Sequence, residues 1–96
     1  MLSLRPNCEI CDKDLPPEAQ DARICTFECT FCVDCVEHKL HGMCPNCGGN
    51  LVPRPIRPRS KLAKNPPATE RVLKAFDAAA HEQRLARLGS LPPAER

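Results

Sequence analysis

All eight cysteines of this 96-residue chain fall within one short window and are spaced as pairs. The pattern reads Cys8-x2-Cys11, Cys25-x3-Cys29, Cys32-x2-Cys35 and Cys44-x2-Cys47. Eight thiolates are the ligand count for two tetrahedral four-cysteine zinc sites, with none left over. The window holds two phenylalanines and no tryptophan or tyrosine, so it buries too little apolar surface to fold alone. We therefore expect two Zn²⁺ ions per chain to be part of the fold.

Paired cysteines have three other common uses. A disulfide framework needs an oxidising compartment, and residues 1–14 lack the apolar core of a signal peptide. We therefore expect a cytoplasmic chain with reduced thiols, and no segment is long and apolar enough for a membrane span. A redox centre needs one Cys-x2-Cys pair beside a βαβ pattern, which four linked pairs do not resemble. An iron–sulfur cluster stays open, because iron also takes four thiolates, but paired knuckles favour zinc.

Charge and proline divide the chain into an acidic module and a basic tail. Residues 1–50 carry four basic and eight acidic side chains, whereas residues 51–96 carry ten basic and four acidic ones. An acidic module is unlike a nucleic-acid-reading finger, which carries its own positive face. The predicted parts are a zinc module (1–52, closed by a short strand at Leu51 and Val52), a Pro/Arg-rich linker (53–68), an amphipathic helix (69–89) and a disordered tail (90–96).

The linker contains five prolines and five basic residues without an acid, which favours an extended, solvated tether. Nucleic acid is a possible partner through residues 54–64, but no aromatic side chains interleave the arginines to stack on bases.

The predicted helix has Thr69 as its N-cap and stops at Gly89. Its apolar stripe comprises Val72, Leu73, Phe76, Ala79 and Ala80, with Leu85 and Leu88 off that face. The stripe is short and rich in alanine. Weak docking on the zinc module, or partial disorder, is therefore favoured over a helix that binds a partner or a second copy.

Two segments have the local chemistry of zinc knuckles. Gly48 and Gly49 follow Cys47 and permit the tight turn that points backbone amides at thiolates. After Cys35, Val36 and Leu40 lie four residues apart on one face of a short helix, and Gly42 suits its C-terminal cap. A ligand pair at the start of a short helix, beside a hairpin that carries another knuckle, is typical of a treble-clef fold.

The order of ligands from Cys8 to Cys47 resembles the RING domain, in an all-cysteine variant with Cys29 where RING domains usually have histidine. The Glu9-Ile10 pair, Thr30-Phe31 and Pro45 are also similar to RING sequences. The resemblance implies a small α+β, cross-braced treble clef. It places Cys8, Cys11, Cys32 and Cys35 on one zinc ion, and Cys25, Cys29, Cys44 and Cys47 on the other.

A second resemblance covers residues 2–58 and is closer. The chain is similar to a bacterial family of small cysteine-rich proteins, domain of unknown function 1272. The segments that carry this resemblance are Leu4-Arg5-Pro6-Asn7-Cys8, Cys11-Asp12-Lys13-Asp14-Leu15-Pro16-Pro17, Cys29-Thr30-Phe31-Cys32, His41-Gly42 and Cys44-Pro45-Asn46-Cys47-Gly48-Gly49. It implies zinc and a bacterial cytosol, and it brings no activity.

The histidines are expected to lie outside the metal sites, since eight cysteines already close both. His38 and His41 lie near Cys35, and the alternative that one of them replaces a cysteine stays open. His81 is expected on the solvated surface. We expect no enzyme and no catalytic zinc site, which would need three protein ligands, an open position and a general base.

The favoured function is zinc-stabilised binding of a protein partner. The candidate surface is an apolar patch formed by Ile10, Phe31, Val36, Leu40 and Pro45. The alternatives are nucleic-acid or transcription-complex binding by the basic tail, and a RING-type ubiquitin-like ligase adaptor.

Overall fold

A computed structural model describes all 96 residues as a small α+β domain built on a three-stranded antiparallel sheet. The strands are β1 (Ala22–Ile24), β2 (Thr30–Cys32) and β3 (Val52–Pro53), in the order β2-β1-β3. Ala22 pairs with Cys32 across the hairpin, and Arg23 pairs with Pro53 on the other side. The predicted closing strand is therefore present at Val52, and Pro53 is tolerated because β3 is an edge strand.

A short helix follows β2 directly. α1 (Val33–Cys35) continues without a break into a π-helical turn, Val36–Leu40, in which Val36 and Leu40 are buried on one face as predicted. The helical turn ends with two residues of positive φ, whereas the sequence suggested Gly42 alone as the cap. His41 takes the left-handed conformation (φ 52°) before Gly42 (φ 81°), and the Gly42 amide donates to the Val36 carbonyl at 3.2 Å.

Cysteine dominates the core. Of the eleven residues in the main buried cluster, six are cysteines, and the others are Leu15, Ala22, Phe31, Val36 and Leu40. Five apolar side chains without a large aromatic partner for Phe31 are a small core for a domain. The burial therefore supports the expectation that apolar packing alone does not hold this module together.

The proline-rich segment is anchored to the module, so the expectation of a solvated tether was wrong. Arg54 is only 4% exposed, and Arg57 donates to the backbone carbonyls of Leu2 and Asn65, both at 2.7 Å. After Pro58 the chain forms one helical turn, α2 (Arg59–Leu62). Prolines limit regular structure here, but the arginines between them replace the missing backbone bonds with side-chain bonds.

The C-terminal helix begins later than predicted. α3 spans Ala78–Leu88, and the side chain of Asp77, not of Thr69, caps it by accepting from the Ala80 amide at 3.0 Å. The preceding residues, 66–77, have no regular secondary structure, and several of their backbone groups are bonded to the module instead. The Val72 amide donates to Asn7 Oδ1 at 3.3 Å, and the Lys74 amide donates to the Glu9 carbonyl at 3.0 Å. Tertiary bonds have thus replaced the first turns of the expected helix.

The buried face of α3 also differs from the predicted stripe. Ala79 and Ala80 are exposed, whereas His81 is buried and Leu85 and Leu88 are half-buried. The expectation that His81 lies on the solvated surface was wrong. The tail, expected to be disordered, forms a 3-10 turn at Pro93–Glu95, and Arg96 donates to the Gly48 carbonyl at 3.1 Å. No helix of the chain combines the length and the apolar character that a membrane span requires.

Candidate metal centre

The structure brings four thiols together from two distant parts of the chain. Cys8 and Cys11 lie in the N-terminal loop, Cys32 ends β2, and Cys35 ends α1, and all pairs of their sulfurs lie within 4.8 Å. The Sγ atoms of Cys11 and Cys32 are 3.7 Å apart. Four sulfurs at about 2.3 Å from one tetrahedral zinc are about 3.8 Å from each other. This spacing suits a single four-thiolate ion and is far too long for a disulfide.

The turn that carries Cys8 and Cys11 is held by its own backbone and by one buried acid. The Asp12 amide donates to the Cys8 carbonyl at 3.0 Å, and Asp12 itself is left-handed (φ 63°). The Glu9 side chain is 1% exposed, and its Oε2 accepts from the Thr30 amide at 2.6 Å. Glu9 therefore holds the turn of Cys8 and Cys11 against β2, two residues before Cys32. The sequence reasoning missed this role, for which an acid between two ligands was the only signal.

The thiols of the first group ionise unequally. For Cys8, burial is the largest influence and raises the pKa, but hydrogen bonds from the backbone of Cys11, Cys32 and Ile10 together lower the pKa below its usual value. For Cys35, burial and the neighbouring thiols raise the pKa far above its usual range, and the pKa of Cys32 is also raised, chiefly by burial. Four adjacent sulfurs do not all ionise without a compensating cation. A divalent ion at their centre supplies that compensation.

A second group of three thiols includes Cys25, which lies at the turn end of the β1–β2 hairpin. Cys25 follows β1, and Cys44 and Cys47 lie in the last knuckle, with all three sulfurs within 4.8 Å of one another. The amides of Phe27, Asn46 and Gly49 point at the sulfurs of Cys25, Cys44 and Cys47, at 3.3, 3.4 and 3.4 Å.

The last knuckle ends in a tight turn that requires glycine at position 48. Gly48 has φ 79°, which side chains disfavour, and its amide donates to the Cys44 carbonyl at 2.9 Å. The Cys44 amide donates in turn to the Gly49 carbonyl at 2.8 Å. The turn closed by these two bonds carries the Asn46 and Gly49 amides that point at sulfur, which is the amide-to-thiolate chemistry that the glycines predicted.

Cys29 lies beside the second group but outside the set of mutually close sulfurs. It is buried in the same core cluster as Cys25 and Cys44. Burial raises the pKa of Cys44 far above its usual range, and the charges of Cys29 and Cys25 raise it further. Cys29 is therefore close enough to act electrostatically on this group. All eight cysteines are free thiols.

The histidines lie apart from both thiol groups. His38 and His41 are exposed on and after the π-helical turn, and neither belongs to a cluster of metal-binding side chains. His81 is buried for another reason, since its Nε2 lies 2.9 Å from the Leu40 carbonyl oxygen. A carbonyl only accepts, so Nε2 must carry the proton. Nδ1 then accepts from Arg84 Nη1 at 3.4 Å.

The predicted apolar patch is divided between the core and a covered surface. Phe31, Val36 and Leu40 are buried core residues, whereas Ile10 and Pro45 are half-buried. Ile10, Phe31 and Pro45 line a cavity of about 150 Å³, whose other wall is formed by residues 74–84. The C-terminal segment therefore lies over the surface that the sequence suggested for a partner.

Comparisons with known proteins place this architecture in a family. The family described as protein of unknown function DUF1272 matches residues 1–57, which include both thiol groups. An uncharacterized protein of Rhizobium meliloti (strain 1021) is 70% identical over 74 residues, covering 77% of this chain and 88% of the relative. No solved structure matches the chain. Because the family match covers more than half of the chain, and the relative shares its sequence over most of both lengths, the chain belongs to the DUF1272 family.

Proposed function

We propose that this protein binds two zinc ions in a cross-braced, RING-like treble clef and that the metal-stabilised module binds a protein partner. Cys8, Cys11, Cys32 and Cys35 hold one ion, and Cys25, Cys29, Cys44 and Cys47 hold the other. The observation that carries the proposal is the first thiol group. Its four sulfurs come from two separated segments and lie within 4.8 Å of one another, and the 3.7 Å between Cys11 and Cys32 matches one edge of a tetrahedron around zinc.

Zinc is favoured over an iron–sulfur cluster by that spacing. A cluster places inorganic sulfide between its irons and holds the cysteine sulfurs farther apart than one ion does. The 3.7 Å separation of Cys11 and Cys32 matches a single ion. In the second site, Cys29 is the proposed fourth ligand, and its sulfur would have to move closer to those of Cys25, Cys44 and Cys47 to complete the set.

The cross-brace is tested with paired substitutions and cobalt as a spectroscopic substitute for zinc. Cys11→Ser/Cys32→Ser damages one site twice, so the protein should retain one intact four-thiolate cobalt site by its visible absorption. Cys11→Ser/Cys25→Ser damages both sites, so no intact site should remain. Elemental analysis of the wild type should give two zinc ions per chain, and thiol titration should find no reactive thiol. Sequential pairing of Cys8, Cys11, Cys25 and Cys29 would reverse the two absorption results, and one metal per chain would refute the stoichiometry.

Binding of a protein partner is supported by the surface beside the first site, where Ile10 and Pro45 border a partly filled cavity. Apolar side chains around a concave surface are typical of protein and peptide sites. The test is affinity capture from a cell lysate with zinc-loaded bait. Ile10→Asp should lose the captured protein, and Ile56→Asp should keep it, because Ile56 is an exposed residue outside this cavity. Equal capture by both variants would contradict a partner site at Ile10.

A further inference from the structure

The cavity beside the first thiol group lies between two parts of the chain. We call its floor the Glu9 groove, formed by Glu9, Ile10, Phe31 and Pro45. Residues 71–84, the cover segment, lie over this floor. About 150 Å³ between them remains unfilled. This space is partly open to solvent, so the cover segment leaves part of the Glu9 groove accessible.

Polar contacts hold most of the cover segment in place. Its His81 Nε2 donates to Leu40 O at 2.9 Å, and its Arg84 Nη1 donates to Pro45 O at 2.6 Å. At its other end Arg71 pairs with Asp12 at 2.9 Å, but both side chains are more than two-fifths exposed. Exposed ion pairs contribute little. Asn7 also exchanges two hydrogen bonds with the backbone of Val72, and the Lys74 amide donates to the Glu9 carbonyl at 3.0 Å. An external ligand that displaced the cover segment would have to replace these bonds.

Phe76 supplies the apolar anchor of the cover segment. It is half-buried, packs against the main core cluster, and lies with its ring centroid 5.6 Å from that of His81. Leu73, three residues earlier, is 61% exposed. Aromatic side chains in such pockets carry a large share of the binding energy in peptide complexes.

The least satisfied atom in the Glu9 groove is a carboxylate oxygen. Glu9 Oε2 accepts from Arg5 Nη1 at 2.8 Å and from the Thr30 amide at 2.6 Å. Glu9 Oε1 is buried and has no hydrogen-bond partner, and the Lys74 Nζ atom stops 4.0 Å away. A buried acceptor without a donor is costly. A donor that reaches hydrogen-bond distance would bind here more favourably than Lys74 does.

We propose that the cover segment is a displaceable internal ligand of the Glu9 groove, and that the external ligand is a protein segment with a lysine two residues before an aromatic residue. The internal Lys74-Ala75-Phe76 sequence shows this chemistry: the Lys74 ammonium faces Glu9, and the Phe76 ring lines the groove. An external segment is free of the connection to residue 70 and can bring its ammonium group within hydrogen-bond distance of Glu9 Oε1. The inference rests on the proposed function, since it names the chemistry of the partner for the same surface.

The test uses the zinc-loaded full chain and a fluorescein-labelled peptide of residues 69–88, with binding followed by fluorescence anisotropy. The tethered copy competes at an effective concentration on the order of millimolar, so the wild type should bind the peptide weakly. Phe76→Ala in the full chain loosens the cover and should strengthen peptide binding by roughly tenfold or more. Leu73→Ala is the matched control in the same segment and should leave peptide binding as in the wild type.

The peptide itself provides variants that leave the folded protein untouched. Lys74→Ala and Phe76→Ala in the peptide should each weaken its binding to the Phe76→Ala protein by roughly tenfold, a typical cost for a hot-spot truncation. Glu9→Gln in the protein should remove the effect of the peptide lysine. The remaining amide oxygen can still accept from the Thr30 amide, so the cobalt spectrum should stay that of two four-thiolate sites. Peptide binding that ignores all three changes, or no gain from Phe76→Ala in the protein, would overturn the proposal. If Ile10-dependent capture persisted beside that result, the partner site would stand and only the ligand chemistry assigned to it would fail.

Discussion

Arg54 offers the sharpest test of how the chain beyond the cysteines supports the module. Its guanidinium is buried where β3 ends, and it donates three hydrogen bonds to backbone carbonyls. Nη1 bonds Arg5 O at 2.9 Å, and Nη2 bonds Leu15 O at 3.1 Å and Pro16 O at 2.8 Å. One side chain thus ties the N-terminal segment and the loop before β1 to the edge strand.

The expected effect of Arg54→Met follows from these bonds. Hydrogen bonds that involve a charged group contribute about 1.5–3 kcal/mol each, and a carbonyl left buried and unpaired costs a similar amount. Burial opposes this gain, because it lowers the pKa of Arg54, and Nε has no partner. Methionine also keeps much of the side-chain volume. We therefore expect the free energy of unfolding to fall by about 2–4 kcal/mol, well below the sum of three full bonds.

The measurement is urea unfolding of zinc-loaded protein followed by far-UV circular dichroism, at one fixed concentration of free zinc because metal binding shifts apparent stability. With a slope near 1 kcal/mol/M, as small domains show, the midpoint should fall by about 2–4 M. Arg59→Met is the matched control, since Arg59 is exposed on α2 and is expected to change stability by less than about 0.5 kcal/mol. Equal midpoints for the two variants would refute the structural role assigned to Arg54.

Two further outcomes test the dependence of the fold on metal and the docking of α3. A strong chelator should abolish the dispersed amide NMR signals of residues 8–52, because structural zinc supplies on the order of 10 kcal/mol and the apolar core is small; signals that survive would show a core stable without metal. His81→Ala removes the buried bond to the Leu40 carbonyl, so the amides of residues 78–88 should lose hydrogen-exchange protection while those of the sheet keep it. Glu82→Ala, on the exposed face of α3, should leave both sets unchanged, and equal protection in the two variants would contradict the docking of α3 through His81.

In the cysteine-rich half, the first thiol group and the local turns agree with the sequence prediction, whereas Cys29 does not join the second group. The signals that agreed are local, or they follow from the ligand order of RING domains. The spacing of the pairs, the glycines after Cys47 and the four-residue separation of Val36 and Leu40 each act within one turn of chain. The grouping of Cys8 and Cys11 with Cys32 and Cys35 came from the resemblance to cross-braced domains. Spacing alone left the pairing open.

The second half was harder to predict because its structure depends on bonds to distant carbonyl groups. Nothing in the local sequence shows that Arg54 will bond Leu15 and Pro16, or that His81 will reach Leu40. Helix propensity and periodicity favoured a start at Thr69. Backbone bonds to the module decided otherwise, and Asp77 became the cap. Tertiary contacts of this kind override local preference, and they carry no periodic signal.

These contacts show that basic side chains of the second half bind acidic and carbonyl groups of the first half. Arg71 bonds the carboxylates of Asp12 and Asp14 in the first knuckle, and the other docked arginines of the tail bond main-chain carbonyls of the module. Much of the positive charge that first suggested a nucleic-acid partner is therefore already used within the chain. The family match ends at residue 57, but the folded unit continues beyond it, because residues 71–84 cover Ile10 and Pro45. The groove under that cover holds apolar side chains and the unpaired Glu9 Oε1 beside the first thiol group, and it is there that the proposed ligand, with its cation and its ring, would replace the tail.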